Sequence, residues 1–318
     1  MSKIYSNYSE ELLKTDIAYA GQQIPGIRDQ QEDCYRIVEG IQLSDNTNGL
    51  LCIMCDGMGG HSGGAIASEL VVTTMTEYFR NSSDIPTVRR LHESAEAANN
   101  AIADRIYSEP ALKGMGSTLI AFVVSLNRLY WYSIGDSPLW LLRNSRLTRL
   151  NANHSMAALL KSKVEKNEIS PEEAAKNSTR NFLLSAVNGY KFELVDNPQT
   201  PFFLDDGDQL LAATDGVETL TTDRISHILC NTKDQPVSTA LKVLFDELEK
   251  IQHPAQDNAS TILVRIGPSV TTETLDDQIA KSIPQDKVGP AVLKNGSFML
   301  SALIIGVILV AIAAIVLL

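Results

Sequence analysis

Five aspartates and a glutamate stand where apolar runs of this chain begin or end. Asp56 directly follows the run Leu50–Cys55 and is itself followed by Gly57, Met58, Gly59 and Gly60. Asp136 follows Ile134 and Gly135, and Asp215 closes the run Leu210–Thr214 just before Gly216. Asp257 lies in a polar turn ahead of Thr261–Ile266, and Glu32-Asp33 immediately precede Cys34–Val38. Ending an apolar strand on a carboxylate is costly unless the group reaches solvent or a cation. Several such ends brought to one rim would line a pocket with hard oxygen ligands, suited to Mg2+ or Mn2+. A single Asp-Gly pair reads as a turn; the set carries the chemistry.

The elements that must position these acids are legible as periods. Strand-like runs cover Ile17–Gln22, Cys34–Val38, Leu50–Cys55, Thr118–Ser125, Leu129–Ile134, Leu139–Arg143, Gln209–Ala213 and Ser260–Ile266. Residues 117–150 read as a meander of four short strands, with breaks at Leu126–Arg128, Gly135–Pro138 and Asn144–Arg146. Helical spacing runs through Ala65–Phe79, Val88–Tyr107 and Val237–Ile251, and Ser170-Pro171-Glu172-Glu173 is a helix-start signal. No alternating strand–helix–strand order is present, which argues for a sheet core covered by helices over a doubly wound parallel sheet.

Composition narrows the function classes. Lys and Arg number 27 against 38 Asp and Glu, a formal net charge of −11. Phosphate-backbone binding needs a basic face, so nucleic acid is excluded as a main partner. Cys34, Cys52, Cys55 and Cys230 are the only cysteines. Cys52 and Cys55 have metal-site spacing but no second pair, and on a strand positions three apart face opposite sides. They are expected to be buried, reduced thiols.

The mean hydropathy of −0.03 averages two unlike parts. Residues 298–318 are 21 in number and only Ser301 and Gly306 interrupt their large apolar types. A bilayer core needs roughly 20 apolar residues as a helix, and a buried core helix would keep a polar face. This stretch is expected to be a C-terminal transmembrane anchor. No signal peptide is visible in the polar, acidic N-terminal residues. Lys281, Lys287 and Lys294 precede the span, which places the head in the cytoplasm. Residues 268–297, with three prolines and no apolar period, read as a flexible linker, and 1–14 as an N-terminal arm.

Six short motifs occur in order: Arg28 with Glu32-Asp33; Asp56-Gly57-Met58-Gly59-Gly60-His61; Gly114 to Thr118; Gly135-Asp136-Ser137; Asp215-Gly216-Val217; and Asp257 to Thr261. Together they resemble the bacterial type of the PP2C (PPM) metal-dependent serine/threonine protein phosphatases, over residues 15–267. The resemblance implies an α+β fold, a four-layer α-β-β-α sandwich of two antiparallel sheets flanked by helix pairs. It implies two Mn2+ or Mg2+ ions. Asp56 would bridge them, the Gly57 carbonyl would bind the first, and Asp215 and Asp257 the second. Glu32 would stand beside that second ion, with Asp33 behind it, and Arg28 would hold the substrate phosphate. A third ion would take Asp136, but the family's other ligand for it falls where this chain has Thr219, so either no third ion binds or Glu218 substitutes. A hydroxide between two ions would then hydrolyse phosphoserine and phosphothreonine in proteins, opposing a cognate kinase. Two departures stand out. Met58 replaces the histidine of animal members, and Pro138 follows Gly135-Asp136-Ser137 where arginine is common. His61 and His154 are expected to be structural, and residues 151–200 resemble the mobile flap beside the catalytic rim. The alternative reading is a catalytically weak or inactive scaffold of the same fold, against which the retained acid cluster argues.

Overall fold

The computed structural model describes residues 17–60, 63–180 and 182–267. The chain divides into two units, Met1–Thr271 and Thr272–Leu318, and every described residue lies in the first. The expected membrane span at 298–318, the linker at 268–297, the arm at 1–14 and His61 therefore fall outside the described residues. Among the described residues no helix is long and apolar enough to cross a membrane.

Twelve strands and six α-helices are described. The strands are β1 (Ile17–Ile24), β2 (Cys34–Gln42), β3 (Asn48–Cys55), β4 (Gly57–Met58), β5 (Gly116–Ser117), β6 (Leu119–Ser125), β7 (Arg128–Ile134), β8 (Leu139–Arg143), β9 (Arg146–Arg149), β10 (Phe202–Phe203), β11 (Gln209–Ala213) and β12 (Ala259–Ile266). The helices are α1 (Gly63–Arg80), α2 (Thr87–Ser108), α3 (Met156–Glu165), α4 (Pro171–Lys176), α5 (Thr222–Asn231) and α6 (Val237–Ile251). One sheet runs β1-β12-β11-β8-β9, the other β10-β7-β6-β3-β2, and β4 pairs with β5. All pairings are antiparallel.

The period of two along each strand builds the layers. On β3, Leu50, Cys52 and Met54 join Phe122, Leu210, Ile262 and Val264 between the two sheets. The alternate residues Leu51, Ile53 and Cys55 pack with Val71, Met75, Leu91 and Ile102 of α1 and α2. On the far side, Leu211, Ala213 and Leu263 meet Ile225, Leu241 and Leu244 of α5 and α6. The four-layer α-β-β-α sandwich is thus as expected, and Cys52 and Cys55 do face opposite sides.

One expectation is corrected. The stretch 117–150 is not one meander: β6 and β7 lie in one sheet, β8 and β9 in the other. Gly135, at φ 98°, turns the chain across the gap, packed against the Thr118 side chain. Helix α5 gave no clear signal by itself, because its three buried residues, Ile225, Ile228 and Leu229, span barely one turn. The start at Ser170 is a complete capping box, its hydroxyl accepting from Glu173 N and the Glu173 carboxylate from Ser170 N.

Phe122 is fully buried between the sheets. Phe122→Ala is expected to lower the unfolding free energy by about 3–5 kcal/mol, read as a fall in the urea midpoint at unchanged slope.

Candidate active site

The acids meet at one edge of the sandwich because antiparallel pairing puts their strand ends together. Cys34 pairs with Cys55, so Glu32-Asp33 and Asp56 lie side by side at the end of one sheet. Ala213 pairs with Thr261, which does the same for Asp215 and Asp257 in the other. Asp136 comes from the turn that crosses between them. The Asp56 carbonyl accepts from Thr118 N at 2.9 Å and Ser117 Oγ at 3.0 Å, and Asp56 N donates to Thr118 Oγ1 at 3.0 Å.

Asp33 links the two sheets. Its Oδ2 accepts from Thr214 Oγ1 at 2.9 Å and from Ser260 Oγ at 2.8 Å, both in or beside strands of the opposite sheet. Burial pushes its carboxyl up to about 7, against the pull of those two hydroxyls. Asp56 is held far above the usual carboxylate range, by burial first and then by Asp33, Asp215, Asp136 and Asp257. Asp215 is raised to about 6 by burial, with Asp136 and Asp257 adding to it, while a hydrogen bond shared with Asp56 pulls it back. Its side chain opens to solvent at the rim, yet enough protein surrounds the carboxylate to desolvate it. Burial raises Asp136 and Glu218 in the same way, and the Arg149 charge opposes this in both.

Tight backbone contact positions Gly57 and Glu32. A Cβ at Gly57 would stand 2.2 Å from the Gly64 carbonyl oxygen and 2.5 Å from that of Glu32. A Cβ at Gly64 would stand 2.6 Å from Glu32 Oε1, so the Glu32 carboxylate rests on the first turn of α1. There the helix dipole favours an anion. Glu32 N donates to Asn258 Oδ1 at 2.8 Å, and its carbonyl accepts from Ser68 Oγ at 2.6 Å and Gly57 N at 3.2 Å. Arg28 and Asp257 form an ion pair at the mouth, with Nη2 donating to Oδ2 at 2.6 Å and 57% and 41% of the side chains exposed.

The expected residues Arg28, Glu32, Asp33, Asp56, Gly57, Asp136, Asp215, Glu218 and Asp257 therefore form one connected cluster. Sequence reasoning missed its supports. The Ser260 hydroxyl holds Asp33. Asn258 does bond Asp257 Oδ1 through its backbone N–H, but its side chain also ties Glu32, Pro25 and Gln30 together. Arg149, on β9, supplies what Pro138 lacks: its Nη2 donates to the Asp136 carbonyl at 2.7 Å and to that of Ser137 at 3.2 Å. His154 is structural as expected, buried and accepting at Nδ1 from Gly135 N at 3.3 Å. The Met58 side chain lies against Gly116 and has no proton to give.

The family model for protein phosphatase 2C matches residues 39–263. The chain belongs to the protein phosphatase 2C family. Over 173 residues it is 33% identical to the serine/threonine protein phosphatase PstP of Mycobacterium tuberculosis, covering 54% of this chain. That match spans 32% of the length of PstP. The serine/threonine phosphatase stp of Listeria welshimeri is 28% identical over 242 residues, 75% of this chain and 91% of that protein. Among solved structures, the catalytic domain of PstP in complex with two manganese ions superposes with a TM-score of 0.64 at 27% identity. It covers 79% of this chain and 99% of that one.

The donor set here fits such ions. Among the described residues no three acidic, histidine or cysteine side chains close into a finished cage. The carboxylates nevertheless repel one another and offer hard oxygen donors, with Arg28 and Arg149 supplying nearby positive charge among the described residues. Asp56, the Gly57 carbonyl, Asp215, Asp257 and Glu32 would hold two ions, and Asp136 with Glu218 a third.

The raised groups fix a sign. A carboxyl with a folded value of about 6 or 7 keeps its proton while the unfolded chain loses its own near 4. Its stabilisation is complete below pH 4 and lost as pH rises through 6–7. Chelator-treated protein is therefore expected to lose urea resistance across that window. Asp33→Asn, which keeps both hydroxyl bonds, should flatten the loss, and Mn2+ at neutral pH should raise Tm.

Proposed function

We propose that residues 15–267 form a metal-dependent protein phosphatase acting on phosphoserine and phosphothreonine. The observation that carries this reading is the convergence of five mutually repelling aspartates on one rim with an exposed arginine at its mouth. Bound there, divalent ions would supply Lewis acidity and lower the pKa of an attacking water toward about 7. The chain's own residues do the rest. Arg28 offers a planar fork to two phosphate oxygens, and only one of its nitrogens is engaged by Asp257. Asp33 fixes the spacing of the two sheets behind the ligands. Arg149 holds the turn that carries Asp136. Met58 has no proton to give and His154 is buried, so neither is placed to protonate the leaving oxygen.

Phosphoproteins are the proposed substrates, supported by the likeness to the serine/threonine phosphatases PstP and stp, and a serine/threonine kinase is the reaction class that must supply them. We further propose that residues 298–318 tether the head to a membrane with the head on the cytoplasmic side. Their 21 uninterrupted uncharged residues and the preceding lysines support this.

A phosphothreonine peptide is expected to be hydrolysed with Mn2+, not with chelator, and not by Asp56→Asn; no turnover by the wild type with Mn2+ overturns the enzyme reading. Arg28→Lys keeps the charge but loses the fork, and kcat/KM should fall about 10–100-fold, one or two charged hydrogen bonds' worth. Release of the full chain from membranes by alkaline carbonate would overturn the tether.

A further inference from the structure

Cys34 and Cys55 face each other directly across β2 and β3, one residue inward from Asp33 and Asp56. Both thiols are free, and both pack into the cluster beneath α1 and α2, so they share one face of the sheet. β2 is an edge strand and Cys34 is partly exposed, which gives a small oxidant a way in. Cys52 has no such partner: it faces the other sheet and stands opposite Ile37.

We propose that Cys34 and Cys55 form an intramolecular disulfide under peroxide, and that this cross-link shuts the site beside it. A hydroperoxide transfers one oxygen to the Cys34 sulfur, giving a sulfenic acid and an alcohol or water. The Cys55 sulfur then displaces that oxygen, which leaves as a second water as the S–S bond closes. The protein loses two hydrogens and two electrons, and the peroxide O–O bond takes them up.

Geometry permits the bond but not without movement. Directly opposed strand residues have Cα atoms about 4.5–5.5 Å apart, inside the disulfide range of about 4.4–6.8 Å. Their Cβ atoms stand about 4.5–5.5 Å apart, and a disulfide needs about 3.5–4.5 Å. Closing it draws the strand ends together by up to about 1 Å. The next residues outward are Asp33 and Asp56, and a displacement of that size at a catalytic group costs about 100-fold in rate.

The effect on turnover rests on the phosphatase reading, whereas the cross-link does not. The test treats the full-length chain with hydrogen peroxide, then blocks free thiols and maps peptides without reductant. The expected result is one linked peptide pair containing Cys34 and Cys55, at least tenfold loss of phosphopeptide turnover in step with it, and recovery with dithiothreitol. Cys34→Ser should show normal turnover before oxidation and keep it afterwards, and Cys230→Ser should behave as wild type. Free Cys34 and Cys55 after oxidation, linkage to Cys230 in their place, or equal inactivation of Cys34→Ser overturns the proposal. A linked protein with unchanged turnover overturns the coupling. If the untreated chain has no turnover, the phosphatase reading fails, and the peptide map still decides the disulfide.

Discussion

Everything at this rim depends on one carboxylate lodged between two sheets. Asp33 starts a strand of one sheet and takes both of its hydrogen bonds, from Thr214 and Ser260, in the other. Apolar packing holds the sheets face to face, but such packing is tolerant of sliding. Directional bonds to a single oxygen are not. Because Glu32 precedes Asp33 and Asp56 lies beside it across the ladder, fixing Asp33 fixes the ligands of both sheets relative to each other. The cost is a buried acid whose charge is resisted by its surroundings and by Asp215 and Asp257. Positive charge brought to the rim offsets that cost, so ion binding and sheet alignment favour each other.

The second constraint is steric. Gly57 and Gly216 are both the glycine of an Asp-Gly pair, and neither is needed for a positive φ. A Cβ at Gly216 would stand 2.0 Å from the Asn258 carbonyl oxygen, just as one at Gly57 would strike Gly64 and Glu32. In each case the glycine lets another backbone segment pass directly behind an aspartate, so that segment can supply ligands or their supports. The Asp-Gly pairs are turns in name, but their physical role is close approach.

The fold was legible where burial imposes a period. β3, β6 and β12 are buried along nearly their whole length, and their apolar runs placed them to within one or two residues. The acid positions were legible for the same reason, since a carboxylate at the end of such a run is conspicuous. What could not be read was contact over long separation. Ser260 and Asp33 are 227 residues apart, and a serine in a strand carries no mark of which partner it will find. The division of 117–150 between two sheets was hidden because a turn within one sheet and a crossing between sheets use the same residues, Gly135 to Pro138. The family resemblance supplied roles for the ligands, but not the hydroxyls and amides that aim them.

Arg149 shows how a departure from a motif is absorbed. Pro138 places no donor beside the Asp136 turn, yet the carbonyls of Asp136 and Ser137 point inward and need partners. Strand β9 pairs with β8 in a register that sets Arg149 opposite Trp140, two residues beyond that proline. From there its guanidinium reaches back over the turn and also takes the Asn151 carbonyl. The same group then faces Asp136 and Glu218, opposing the burial that raises both. Lysine has the charge but not the fork, and could not bind the turn and Asn151 together. The Arg149 charge behind these two acids counters the burial that disfavours their ionised forms. That arrangement arises from a strand that none of the ordered motifs contains.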